Sequence, residues 1–255
     1  MHLPTALYII RHAQPASQEP DYSGGPNPPL GSNGQEQARL TAQQMADWGI
    51  DVLYSSTMAR ALETAQPIYD ELAVAWHVWP AFCEVGRGRW PELRTLAAQA
   101  ATGTENPTPT RPIEAPLDPT EAERYLPLSR LHTLYPDILL SQPFPWPDNW
   151  WRAFQDETRE AAYARVDQAI GALWDQHRGS EARIALVCHG ALASVLLTIL
   201  TQGPPCDYNR FSHAHAAITR VDLYDEGFAR LRFQNYTSHM PVELVTDGGF
   251  PRAKH

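Results

Sequence analysis

Ala6-Leu7-Tyr8-Ile9-Ile10-Arg11-His12 is the stretch on which the fold turns. Five apolar residues without polar alternation read as a short strand buried on both faces, the pattern of a parallel strand covered by helices. The run passes straight into Arg11 and His12. Arg183-Ile184-Ala185-Leu186-Val187-Cys188 repeats the pattern and passes straight into His189-Gly190. Asp51-Val52-Leu53-Tyr54 is a further short strand, and residues 74–82, aromatic-rich and alternating, another. Helical patterns lie between them. Residues 34–46 place Ala38, Ala42 and Met45 on one face, and a helix running to about Leu72 has Ser55, Ser56 and Thr57 before it as expected caps. Trp151, Phe154, Ala162, Val166, Ile170 and Leu173 trace one long amphipathic stripe, and residues 191–200 form an apolar helix. Residues 216–223 and 228–233 read as two late strands joined at Asp225-Glu226-Gly227. Strand and helix alternate, so an α/β fold with a mostly parallel sheet is expected.

Composition narrows the function. The 255 residues are 43% apolar and only 19% charged, which excludes wholesale disorder. A net charge of −9 excludes binding to nucleic acid or an anionic membrane by bulk electrostatics. Cys83, Cys188 and Cys206 form no CxxC pair, so no disulfide scaffold is expected. The first apolar run is too short for a signal-peptide core, and none nears the ~20 residues of a membrane span, so a cytoplasmic protein is expected. Of the 23 prolines, eleven fall between Pro91 and Pro147. They mark an insertion of about residues 93–149 within one domain spanning residues 1–255, lying over one end of the sheet. Nothing in the sequence sets an oligomeric state.

In open α/β sheets ligands gather outside the carboxyl ends of the strands. His12 and His189, each placed at such an end, are expected to face one crevice. Helix N-termini that follow add backbone donors for an anion, and Arg11 adds a planar cationic fork. Arg60 falls in the first turn of a helix, where it opposes the dipole. A bound anion explains it there, against the alternative of a salt bridge to Glu63 or Asp70. Together these residues point to a phosphate-like oxyanion. The His213-Ala214-His215 pair lacks a third ligand at metal spacing, so a structural or rim role is expected and no metal. His239 reads as structural, and Cys188 as an inert buried thiol. Trp146, Trp150 and Trp151 read as packing where a helix starts, with a ligand platform as the alternative. No GxGxxG or GxxxxGK[ST] pattern supports a nucleotide cofactor, and none is expected.

Arg11-His12-Ala13, the stretch Pro29-Leu30-Gly31-Ser32-Asn33-Gly34-Gln35, residues 55–65, Glu84 ahead of Gly88-Arg89-Trp90-Pro91-Glu92, and Cys188-His189-Gly190-Ala191 stand in an order that resembles the histidine phosphatase superfamily. The resemblance covers roughly residues 6–92 and 183–240 and is to the phosphoglycerate-mutase-like branch, branch 1. It implies a three-layer α/β/α sandwich with a mostly parallel central sheet, carrying the Pro-rich segment as a cap. It also implies that His12 takes the phosphoryl group as a phosphohistidine. Arg11, Arg60 and His189 would then form the phosphate pocket, with His189 also catalytic, and Glu84 the acid that protonates the leaving oxygen. Glu92 is the competing acid. No metal is implied, the arginines doing the electrostatic work.

Departures from the family pattern refine this. Ala13 stands where the family often has Gly, and Gln18 where the mutases place an Asn on the phosphate. The acid-phosphatase branch carries Arg-His-Gly-x-Arg-x-Pro and a His-Asp pair; here the residues are Gln14-Pro15-Ala16 and His189-Gly190. Mutases carry an Arg-Arg segment, whereas the middle of this chain has isolated Arg94, Arg111, Arg124 and Arg130. The expectation is a phosphatase acting on a small phosphomonoester, with no nucleic-acid or membrane partner. A phosphoglycerate-type mutase and a catalytically idle phospho-ligand module are the alternatives. The insertion is expected to cap the site and set specificity.

Overall fold

The computed structural model describes residues 3–85, 125–140, 146–154, 157–206, 208 and 210–247. Within them six strands form one sheet: β1 (Thr5–Arg11), β2 (Val52–Ser55), β3 (Ala75–Val78), β4 (Arg183–Cys188), β5 (Ile218–Leu223) and β6 (Ala229–Tyr236). Their order is β3-β2-β4-β1-β5-β6. The pairs β2–β3, β2–β4 and β1–β4 are parallel, and β5 and β6 add an antiparallel edge. Five helices accompany it: α1 (Ser32–Trp48), α2 (Ala59–Leu72), α3 (Leu128–Leu134), α4 (Arg159–His177) and α5 (Gly190–Leu200).

Consecutive side chains of a strand point to opposite faces, so β1 divides the core. Leu7 and Ile9 join Tyr54, Ile184 and Leu186 on the face covered by Val166, Ile170 and Leu173 of α4 and by Leu192 and Leu196 of α5. Tyr8 and Ile10 join Leu53, Ala185 and Val187 on the other, covered by Met45 of α1 and by Leu62, Ala65 and Ile68 of α2. This is the three-layer α/β/α sandwich. Each fully buried aliphatic side chain contributes ~1.5–3 kcal/mol, which is why strands without polar alternation hold the centre. No helix among the described residues is long and apolar enough to cross a membrane.

Register then places the site. Arg11 lies opposite Cys188 and Ser55 opposite Val187, and the next residues, His12, His189 and Ser56, follow at the carboxyl edges of three adjacent strands. The ladder continues past the strands: His12 N–H donates to Cys188 O (2.8 Å) and Ser56 N–H to Val187 O (3.0 Å).

Some local expectations change. Ser55, Ser56 and Thr57 do not cap α2 through N2 or N3; its N-cap is Met58, without a side-chain cap bond. Asn27 Oδ1 accepts the Ala59 N–H at 3.0 Å instead, because Ser56 and Thr57 are turned inward. The third strand stops at Val78, and Pro80–Phe82 form a 3-10 turn, proline having no N–H for the ladder. The stripe from Trp151 to Leu173 is two elements. Trp150–Phe154 is a 3-10 turn, and α4 begins at Arg159 behind Thr158, whose hydroxyl accepts the Ala161 N–H at 3.2 Å.

Residues 93–124 and 141–145 of the expected insertion lie outside the described residues. The part between them edges the sheet: Leu139 N–H donates to Trp76 O (2.7 Å) and Val78 N–H to Leu139 O (3.0 Å), beside β3. Leu131 and Ile138 are buried in the α1/α2 layer.

Candidate active site

His12 sits on a loop fastened to both helices of its layer. Ala13 N–H donates to Thr64 Oγ1 of α2 (2.9 Å), and Gln14 N–H to Gln37 Oε1 of α1 (2.7 Å). Gly34 is required here, since a Cβ on it would lie 2.0 Å from Gln14 O. The His12 ring is buried, and Nδ1 lies 2.8 Å from Ala13 O. A carbonyl only accepts, so Nδ1 carries the hydrogen and Nε2 presents a lone pair. Burial, then the Arg60 charge, hold His12 well below the usual histidine range. It is neutral.

The His189 ring lies 5.2 Å from that of His12, centroid to centroid. Its Nε2 is 2.8 Å from Ser56 Oγ, and its Nδ1 is buried without a hydrogen-bond partner among the described residues. Burial, followed by Arg60 and Arg11, keeps this ring neutral as well. Arg11 donates to His213 O at 2.6 Å. Its side chain passes the N-terminus of α5 so closely that a Cβ on Gly190 would stand 3.2 Å from Nε. Arg60 is buried in the first turn of α2, with Nη2 3.4 Å from Met58 Sδ. Glu63, one proposed partner for it, instead accepts the Leu30 N–H at 2.7 Å.

Glu84 Oε1 accepts from Leu192 N–H (3.1 Å) in the first turn of α5 and from Val85 N–H (3.2 Å). The turn carrying it is anchored by Arg165 of α4, which donates from Nη1 to Ala81 O (2.6 Å) and Cys83 O (3.1 Å). Arg165 also forms a two-bond pair with Glu157 (2.6 and 2.7 Å), both side chains buried.

Arg11, His12, Arg60, Glu84 and Gln18 line one cleft of about 640 Å³. Gln18 Nε2 lies 3.4 Å from His215 Nε2, and His215 Nδ1 lies 2.9 Å from Thr246 Oγ1. Burial lowers His215 to about 3, and its ring stands 5.6 Å from His12. The two histidines of the H-x-H pair therefore have separate tasks: the His213 carbonyl holds Arg11, and the His215 ring lines the cleft. Among the described residues no group of three His, Cys, Asp or Glu is placed to hold a metal ion. His239 is structural, its ring stacked on Tyr236 (5.7 Å between centroids) and Nε2 3.2 Å from Thr41 Oγ1. Burial raises the Cys188 thiol, consistent with an inert group.

Residues 88–92, with Glu92, and Arg94, Arg111 and Arg124 lie outside the described residues; Arg130 is exposed on α3. Sequence reasoning missed the task of Ser56, which binds His189 where a cap was expected. His215 lines the cleft, within the rim role expected for the H-x-H pair. Trp150 and Trp151 are buried, as packing requires, yet with Tyr125 and Phe154 they also line the cleft.

Among curated proteins no sequence matches this chain significantly. Solved structures share its fold. They include phosphoserine phosphatase from Entamoeba histolytica (21% identity, TM-score 0.57, covering 92% of this chain and 98% of that one). The α-ribazole phosphatase from Shigella flexneri is similar at 22% identity and TM-score 0.58, covering 91% and 96%. A mycobacterial glucosyl-3-phosphoglycerate phosphatase is similar at 16% identity and TM-score 0.59, covering 91% and 100%. The family model of the histidine phosphatase superfamily (branch 1) matches residues 7–125 and 131–236. With α2, β4, most of β1 and the residues at the carboxyl ends of the strands inside that match, the chain belongs to the histidine phosphatase superfamily, branch 1, and is a phosphatase by class.

Proposed function

We propose that this chain hydrolyses small phosphomonoesters in two steps through a phosphohistidine at His12 Nε2. The observation that carries the reading is the hydrogen bond from His12 Nδ1–H to Ala13 O, which fixes the nucleophilic tautomer beside two arginines. In the first step Nε2 attacks phosphorus, the P–O bond to the alcohol breaks, and Glu84 gives its proton to the departing oxygen. In the second, water attacks the phosphohistidine, Glu84 takes its proton, and the N–P bond breaks to release phosphate. Arg11 and Arg60 spread positive charge over the phosphoryl oxygens, and Gln18 donates its amide to one of them. The neutral His189 ring, 5.2 Å from that of His12, completes the pocket. Glu92 remains the rival acid, and Glu84→Gln against Glu92→Gln separates the two.

The decisive experiment is His12→Ala. Turnover of phenyl phosphate should fall by roughly 10³-fold or more, with far-UV circular dichroism unchanged and phosphoenzyme no longer trapped on acid quench. Activity retained in that variant sinks the proposal. Hydrolysis is favoured over a mutase because, among the described residues lining the cleft, Arg11 and Arg60 are the only lysine or arginine side chains and form a single cationic pocket.

A further inference from the structure

The cleft that holds Arg11, His12 and Arg60 is also walled by Tyr125, Trp150, Trp151 and Phe154. These rings form one fixed array. Tyr125 stacks on Trp151 (5.5 Å between centroids, 13° between planes), and Trp150 meets Trp151 edge to face (5.9 Å, 87°). Trp150 Nε1 donates to Leu126 O at 2.9 Å, and the Arg165 guanidinium lies over Phe154, 4.5 Å from its centroid. Met58 joins the array to the charged end: it packs against the aromatic cluster while its sulfur touches Arg60. Rings held in this way are pre-organised, so a ligand ring stacking on them does not also have to order them.

We propose that the group esterified to the phosphate is apolar and carries an aromatic ring that lies against Tyr125 and Trp151. The inference rests on the phosphatase reading above and adds the class of alcohol. A polyhydroxylated or carboxylated alcohol would give up its water against ring faces that return few hydrogen bonds, whereas an aryl group loses little and gains stacking contact. Its carboxylate would also find no lysine or further arginine among the described lining residues. Trp151 also carries a buried Nε1–H with no acceptor among the described residues. An acceptor on the ligand ring would remove the cost of that unmade bond.

The test compares phosphate esters of three primary alcohols, whose leaving oxygens are alike: 2-phenylethyl phosphate, 2-cyclohexylethyl phosphate and glycerol 3-phosphate. The expected result for the unmodified protein is a kcat/KM about 10- to 100-fold higher for the phenylethyl ester than for glycerol 3-phosphate, carried mainly by KM. Tyr125→Ala and Trp151→Phe, checked by circular dichroism, should each shrink that ratio. Equal turnover of the phenylethyl and glycerol esters overturns the proposal, and equal turnover of the phenyl and cyclohexyl esters overturns its aromatic part. Calorimetric binding of 3-phenylpropylphosphonate against 3-hydroxypropylphosphonate makes the same comparison without chemistry. If no ester is hydrolysed but the phenyl phosphonate binds at least 10-fold tighter, the phosphatase reading fails and the aromatic site stands.

Discussion

A missing side chain does as much in this site as those that are present. Position 190 is the first residue of α5, where alanine outranks glycine as a helix former. Yet Arg11 crosses that position, and a Cβ there would meet the middle of its side chain, Nε at 3.2 Å and Cζ at 3.5 Å, not a flexible tip. Arg11 is meanwhile held at its far end by the His213 carbonyl, so it cannot simply swing aside. Gly190→Ala should therefore leave the thermal midpoint unchanged or slightly higher while lowering kcat/KM about 10-fold as the guanidinium moves. A fall in stability with unchanged kinetics would count against the argument. Of the proposed site residues, Arg11, His12 and His189 could be read from the sequence because they end or follow a strand, and Arg60 because it falls in the first turn of a helix; Glu84 rested on the family resemblance alone. How residues from distant loops approach them could not be read. His215 approaches His12 only because β5 runs antiparallel beside β1 and Ala216 takes a positive φ of 57° before it, and neither fact has a local sequence signature.

Among the elements, α4 holds the turn ahead of Glu84 without lining the cleft. Arg165 joins three things that the chain keeps apart: the Glu157 carboxylate, the Phe154 ring and the carbonyls of Ala81 and Cys83 ahead of Glu84. Arg165→Met takes away the two-bond cationic partner of the buried Glu157 carboxylate, which costs about 3–5 kcal/mol. Adding Glu157→Leu removes that buried charge and should restore much of the stability, but it does not replace the two bonds to the 81–83 turn. The double variant is expected to fold and still show a lowered kcat, read by comparing chemical denaturation with turnover. A double variant with normal kcat would show that Arg165 serves stability alone. The sequence showed α4 as an apolar stripe and ran it back to Trp151, because periodicity registers buried faces and is blind to a break between two elements that bury the same face. Capping was misread for a related reason. Ser56 and Thr57 have the right chemistry for a helix start, but a buried imidazole and a buried thiol claim their hydroxyls first, Ser56 at His189 and Thr57 at Cys83 Sγ (2.9 Å).

Over the whole molecule, the net charge of −9 and a site built for a dianion are compatible because charges are screened over about 8–10 Å in physiological salt. On the function proposed above, capture of phosphate is then decided by Arg11 and Arg60. The same arginines, together with burial, have a cost in acid. Burial, then the Arg60 charge, lowers His12 and His189. Burial lowers His213 and His239 to about 4 and His215 to about 3. All five fall below the ordinary value near 6.5, so below that pH the unfolded chain binds protons that the folded chain refuses. Stability is thus full above pH 6.5 and is lost as pH falls towards 4, by about 1.4 kcal/mol per pH unit for each such group. Glu63, raised by burial, acts in the opposite sense but is a single group. Scanning calorimetry should therefore give a thermal midpoint that is level from pH 7 to 8.5 and drops steeply between pH 6.5 and 5. His239→Gln, outside the cleft, should make that drop shallower by one proton's share and leave turnover at pH 7.5 intact. A midpoint level down to pH 4 would show that these histidines do not resist protonation. Inorganic phosphate should shift the drop to lower pH, since an anion bound only by the folded state adds stability by mass action and favours any proton taken up beside it.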